Sequence, residues 1–170
     1  MSNYLVLTVI SDDRAGIVEQ VAKAISKHGG NWMESSMARL AGKFAGILLV
    51  EVDADVQPLL EKDLSELASQ GIKVSIDSSG PQTDDDAHIS CLEIVANDRS
   101  GIVGEISSLL ASHQVNLVSL ETFCESAPMS AGMMFYAHAY TQLPDGMTED
   151  QLTQLLESLS DDLMVEVVEA

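Results

Sequence analysis

One stretch of this chain occurs twice. Leu7-Thr8-Val9-Ile10-Ser11-Asp12-Asp13-Arg14-Ala15-Gly16-Ile17-Val18 returns as Leu92-Glu93-Ile94-Val95-Ala96-Asn97-Asp98-Arg99-Ser100-Gly101-Ile102-Val103, 85 residues later. The same offset pairs Val21 with Ile106, Ile25 with Leu110, His28 with His113 and Asn31 with Asn116. A repeat of this length allows only folds built from two like units. At 170 residues, each unit is long enough to bury a modest core of its own. Between the copies runs Ser78-Ser79-Gly80-Pro81-Gln82-Thr83-Asp84-Asp85-Asp86, a polar segment with a Gly-Pro turn signal and a charge run. The expected division is a first domain over 1–78, a linker over 79–87 and a second domain over 88–170.

Each copy carries the same order of periodicities. Residues 4–10 are apolar and β-rich, as in a buried strand. From Gly16 the period changes to that of a helix, with Ile17, Val18, Val21 and Ile25 on one face and Gly29-Gly30 as its end. Residues 32–40 and 43–52 read as a hairpin about Ala41-Gly42. A second helix is expected from an Asp55 cap, with Pro58 in its first turn and Leu60, Leu64, Leu67 and Ala68 as its stripe. Ile72, Val74 and Ile76 alternate as a last strand. In the second copy the strands are 89–96, 117–123, 133–140 and 164–168. Its first helix carries Ile102, Val103, Ile106 and Leu110. Its second opens on the capping-box pattern Thr148-Glu149-Asp150-Gln151 and carries Leu152, Leu155, Leu156 and Leu159. The order is βαββαβ twice. A sheet covered on one face by two helices buries every apolar stripe, so the expected class is α+β with two ferredoxin-like domains in tandem.

Charge narrows the function. There are 27 acidic and 8 basic side chains, a formal net charge of −19. Such a surface repels phosphate, which argues against direct nucleic-acid binding and against adhesion to anionic membranes. The imbalance is uneven: residues 1–80 hold 7 Lys/Arg and 11 Asp/Glu, whereas residues 81–170 hold 1 and 16. That one cation, Arg99, stands in the repeated loop opposite Arg14. Its role is either at a ligand or in an ion pair or domain contact. Two cysteines, Cys91 and Cys124, make no disulfide framework. The first ten residues lack the basic region of a signal peptide, and no apolar run approaches 18 residues. The expected location is therefore cytoplasmic.

The loops Asp12-Asp13-Arg14-Ala15-Gly16 and Asn97-Asp98-Arg99-Ser100-Gly101 each join the first strand to the first helix. Two accounts fit them. A helix N-terminus can hold a carboxylate, a glycine there admits a ligand close to the backbone, and a nearby aspartate can meet an ammonium. Together these suit a zwitterionic amino acid. Alternatively Asp13 and Asp98 cap the helices, and Gly16 and Gly101 serve only backbone geometry. Asn31 and Asn116, opening the second strands, are either polar contacts for such a ligand or turn residues tolerant of left-handed geometry. No metal site is expected. His88 and Cys91 would point to opposite faces of a strand, and no His or Cys spacing matches a zinc pattern. No phosphate loop, nucleophile elbow or zincin motif is present, so neither catalysis nor a cofactor is expected. Met129, Met133, Met134 and Phe135 are expected mainly as core filling. The loop over 125–132 is longer than Ala41-Gly42 and breaks the symmetry of the copies.

The repeated strand, the D-R-x-G-I-V turn and the two βαββαβ units together resemble tandem ACT-domain proteins. The D-R-x-G turn also resembles the ACT units attached to formyltetrahydrofolate deformylase and phosphoserine phosphatase. The opening Leu5-Val6-Leu7-Thr8-Val9-Ile10-Ser11-Asp12-Asp13-Arg14-Ala15-Gly16-Ile17-Val18, with His28-Gly29-Gly30-Asn31-Trp32-Met33-Glu34-Ser35-Ser36-Met37-Ala38, is similar to the bacterial glycine cleavage system transcriptional repressor family. The likeness spans nearly the whole chain. It implies a regulator that binds a small amino acid, glycine above others, and acts through a DNA-binding transcription factor. Carried over, the implied ligand residues are Asp12, Asp13, Gly16, Ile17 and Asn31, and Asp98, Gly101, Ile102 and Asn116. Asn97 stands where the first copy has Asp12, so the two loops need not bind alike. ACT units usually pair, so either the two copies pair within the chain or a homodimer supplies the neighbour, and a homodimer is the expected state. The rival readings are a detached regulatory subunit of a metabolic enzyme and a ligand-free interaction module.

Overall fold

The computed structural model describes residues 1–81, 88–129 and 132–169. The chain divides into two compact units, Met1–Asp84 and Asp85–Ala170. In the first, β1 (Ser2–Asp12) leads to α1 (Ile17–Lys27), β2 (Asn31–Leu40), β3 (Lys43–Asp53), α2 (Gln57–Glu66) and β4 (Lys73–Ser79). The second repeats this as β5 (Ile89–Asn97), α3 (Ile102–Ser112), β6 (Asn116–Ser126), β7 (Met133–Gln142), α4 (Glu149–Glu157) and β8 (Met164–Val168). The sheets are antiparallel with strand orders β2-β3-β1-β4 and β6-β7-β5-β8. This is the expected ferredoxin-like arrangement, twice. Strand β4 runs through Ser79, the first residue of the expected linker, and residues 82–87 lie outside the described residues.

One face of each sheet is apolar because strand side chains alternate. Leu5, Leu7 and Val9 of β1 and Leu48, Val50 and Val52 of β3 meet Ile17, Val21 and Ile25 of α1 and Leu60 and Leu64 of α2. In the second unit Leu92, Ile94 and Ala96 of β5 meet Ile106 and Leu110 of α3 and Leu152 and Leu156 of α4. A register shift falls between Trp32 and Glu34 in β2 and again between Leu117 and Ser119 in β6. The duplication therefore extends to a bulge, which frees Met33 and Val118 from the alternation.

Several local expectations need correction. Helix α2 starts at Gln57 after Val56, with no side-chain cap, so Asp55 does not cap it. The turn is closed instead by the Val56 amide donating to the Asp53 carbonyl at 3.1 Å. Val18 and Val103 are 44% and 40% exposed and lie off the buried stripes of α1 and α3. Of the methionine group, Phe135 enters the core, but Met129 and Met133 are exposed. Residues 130 and 131 of that loop lie outside the described residues. The capping box of α4 is present: the Gln151 amide donates to Thr148 Oγ1 and the Thr148 amide to Gln151 Oε1.

Candidate functional site

The loop after β1 is held by its neighbours on the sheet. The Asp13 amide donates to the Gly42 carbonyl at 2.9 Å, tying the loop to the β2–β3 hairpin. Its equivalent, the Asp98 amide, donates to the Met133 carbonyl at 2.9 Å. Gly16 and Gly101 are the N-caps of α1 and α3, with φ of 92° and 87°. An L side chain disfavours that left-handed geometry, so glycine lets the chain enter the helix directly. Neither helix has a side-chain cap. Asp13 and Asp98 therefore do not perform the capping role, and the amides of the first turn of each helix remain open to an acceptor. Ile17 and Ile102, next in sequence, are buried and anchor the helix start to the core.

The charges around the two loops differ. In the first domain the Lys43 ammonium bonds the Asp12 carboxylate and holds it below its usual range. Arg39 Nη1 lies 3.5 Å from Asp13 Oδ2. Arg14 turns away and donates to the Gln70 carbonyl at 2.9 Å. A pocket of about 270 Å³ opens here, lined by Asp13, Arg14, Gly16, Ile17, Val18, Glu19 and Phe44. Gln20 Oε1 on the same helix is buried without a hydrogen-bond partner.

In the second domain Cys124 occupies the position of Arg39, by the 85-residue offset. Local desolvation, then the adjacent Asp98 carboxylate, push its thiol pKa up. Arg99 makes two bonds to Glu105, of 2.7 and 2.5 Å, which raise its pKa and lower that of Glu105. The Asn97 amide donates to Asp162 Oδ2 at 2.8 Å. The Ser160 hydroxyl, and next this amide, keep Asp162 below the usual carboxylate range. The second loop is thus tied to Glu105 of α3 by one ion pair and to Asp162, between α4 and β8, by one hydrogen bond.

Asn31 and Asn116 lie elsewhere. Asn31 pairs with Glu51, which in turn pairs with Tyr4, while Asp12 pairs with Lys43 at the other end of the sheet. Eight residues of β1 separate Tyr4 from Asp12, roughly 26 Å at strand rise. Asn116 pairs with Gln142, which in turn pairs with Ile89, whereas Asn97 pairs with Met134 at the other end of that sheet. Within one domain the structure therefore unites Asp12, Asp13, Gly16 and Ile17, or Asp98, Gly101 and Ile102, but not the asparagines. Nor do the asparagines supply left-handed turns, since those residues are Gly29 (φ 68°) and Gln114 (φ 57°). Sequence reasoning missed Arg39, Lys43 and Phe44. The antiparallel register of the hairpin against β1 was the signal that could have found them, because it brings residue 43 opposite residue 12. Among the described residues, no group of three or more His, Cys, Asp or Glu gathers as a metal site.

Known proteins place this geometry in a family. Sequence models of the ACT domain match residues 3–77 and 92–157. Together they span most of the chain, and the chain belongs to the ACT-domain family. No curated protein matches the sequence. A solved structure of an unknown protein from Galdieria sulphuraria is 28% identical, with TM-score 0.83, over 99% of this chain and 100% of that one. A candidate glycine cleavage system transcriptional repressor is 18% identical, with TM-score 0.75, over 100% and 99% of the two chains. At that identity the second likeness shows the fold. Two ACT domains support an amino-acid-sensing regulatory role.

Proposed function

We propose that this chain is a non-enzymatic cytoplasmic regulator that senses a small amino acid, glycine before others, and passes the signal to a DNA-binding transcription factor. The observation that carries the reading is the loop of the first domain. There an uncapped helix N-terminus, behind Gly16, opens beside Asp13 and Arg39 on a pocket of about 270 Å³. The ligand carboxylate would accept from the first-turn amides of α1, where the helix dipole favours negative charge. The ammonium would bind Asp13, which its long contact with Arg39 leaves accessible. Asp12 is held by Lys43 and shapes the entrance. Ile17 fixes the helix start, and the loop of Asp98, Gly101 and Ile102 is the weaker counterpart, because Asn97 and Cys124 stand where the first domain has Asp12 and Arg39. Asn31 and Asn116 would join such a site only from another ACT unit, and a homodimer that supplies one is part of the proposal. The net charge of −19 supports a route to DNA through a partner rather than by direct contact. The fold of the repressor-like neighbour supports the regulatory class.

Isothermal calorimetry of the intact chain against glycine and a panel of other amino acids tests this. Saturable heat with at least one of them, weakened about tenfold or more by Asp13→Asn through loss of a charge-assisted bond, is the expected result. No heat with any member of the panel would remove the sensing claim.

A further inference from the structure

The outer face of the second sheet, away from its helices, is not built like that of the first. Strand register assembles Glu121, His138, Glu93 and Glu166 into one row across β6, β7, β5 and β8. Beside it runs a row of Phe123, Tyr136, Val95 and Met164. The Phe123 and Tyr136 rings stack with centroids 5.0 Å apart at 10°, and Phe123 lies 6.4 Å from the His138 ring. His138 Nδ1 is 3.7 Å from Glu93 Oε1. In the first domain the equivalent acidic row is Ser36, Ile47, Thr8 and Ser75, with no ionisable group. The excess negative charge of the second copy has therefore been placed, in part, on one sheet face next to the exposed Phe123 ring and the half-buried Tyr136 ring.

That placement has a cost within the domain. Glu93 and Glu166 face each other directly on adjacent strands, and like charges so paired destabilise a sheet. His138 reaches Glu93 at 3.7 Å, but the domain has no free lysine or arginine to meet these carboxylates. Arg99 is the only Lys or Arg after residue 80, and Glu105 holds it with two bonds. Phe123 is 44% and Met164 59% exposed, so the apolar row is open as well. Stacked aromatic rings beside carboxylates that meet no lysine or arginine match the guanidinium group, which is planar, cationic and weakly hydrated.

We propose that this face, built on Phe123, Tyr136, Glu93, Glu121 and Glu166, docks an arginine-bearing segment of a partner protein. Charge complementarity selects the occupant: the face offers Glu121, Glu93 and Glu166 in one row broken by His138, and the one arginine of the domain is held by Glu105. The proposal deepens the partner half of the proposed function and rests on it. It does not depend on amino-acid sensing, so calorimetry with amino acids can fail while docking stands, and the reverse.

The test uses the intact chain and a fluorescently labelled probe peptide, acetyl-Gly-Arg-Gly-Arg-Gly-amide, followed by anisotropy and by amide NMR shifts. Saturable binding is expected, with shifts centred on β5 to β8 and weaker binding of the lysine counterpart. The triple variant Glu93→Gln/Glu121→Gln/Glu166→Gln should lower affinity about tenfold, and Phe123→Ala a few-fold. A control removing equal charge elsewhere in the domain, Asp145→Asn/Asp150→Asn/Asp161→Asn, should bind within about twofold of the parent at 0.15 M salt. Thermal melting of each variant separates lost binding from lost fold. Equal weakening by the control would reduce the effect to net charge and overturn the proposal, as would absence of binding. So would a concentration-dependent dimer with its shifts on this face, because a second copy would then cover it.

Discussion

Gly16 and Gly101 hold the same left-handed backbone, at φ of 92° and 87°, and a Cβ built on either meets nothing within 4 Å. A substitution there is strained without being crowded. Gly16→Ala is expected to lower stability by about 1–2 kcal/mol through backbone conformation alone, measured by denaturant unfolding. A loss much larger than this would mean that the open space beside Gly16 is filled. Asp162 makes a different prediction. Its carboxyl pKa is depressed by Ser160 and the Asn97 amide. A depressed carboxyl favours the folded state above its unfolded pKa and loses that contribution as pH falls through the folded value. Asp162→Asn should therefore melt below the parent near pH 7, and the gap should close as pH drops below about 4. A gap that stays constant down to about pH 2 would show that the carboxylate charge is not what Asn97 needs.

The elements were largely legible because the chain states them twice. Apolar alternation in 4–10 and 89–96 and helical spacing in Ile17, Val21 and Ile25 match β1, β5 and α1. The capping box of α4 was legible too, since both of its partners lie within four residues. Removing it with Thr148→Ala should cost about 1 kcal/mol, read as a lower midpoint in urea. What failed was decided by contacts distant in sequence. The start of α2 is set by the turn leaving β3 rather than by Asp55, and the exposure of Val18 depends on how α1 lies on the sheet. The site divides the same way. The loops and their glycines could be read locally. The pairing of Asp12 with Lys43 and of Asp13 with Arg39 needed strand register, and so did the separation of Asn31 from both. Register also yields a stability test on β8. Glu166→Gln removes a like-charge contact with Glu93 and should raise stability by about 0.2–1 kcal/mol, whereas a loss would show that the glutamate has a favourable partner.

At the scale of the whole molecule, duplication has produced two units with one fold and different chemistry. The first keeps cations at its loop: Arg39 beside Asp13, Lys43 on Asp12, and Arg14 on the Gln70 carbonyl. The second has Cys124 in place of Arg39, its one arginine tied to Glu105, and a row of glutamates across its outer sheet face. The proposed ligand site and the proposed face for a basic partner thus fall on different units. Among the described residues no helix is long and apolar enough to cross a membrane. The proposal that the first loop is the amino-acid site can be tested by an NMR titration of the intact chain with glycine and related amino acids. Saturable shifts are expected in the amides of Ile17, Val18 and Glu19, with smaller changes at Ile102 and Val103. Absence of shifts with every amino acid, or saturable shifts confined to residues remote from Gly16, would contradict it.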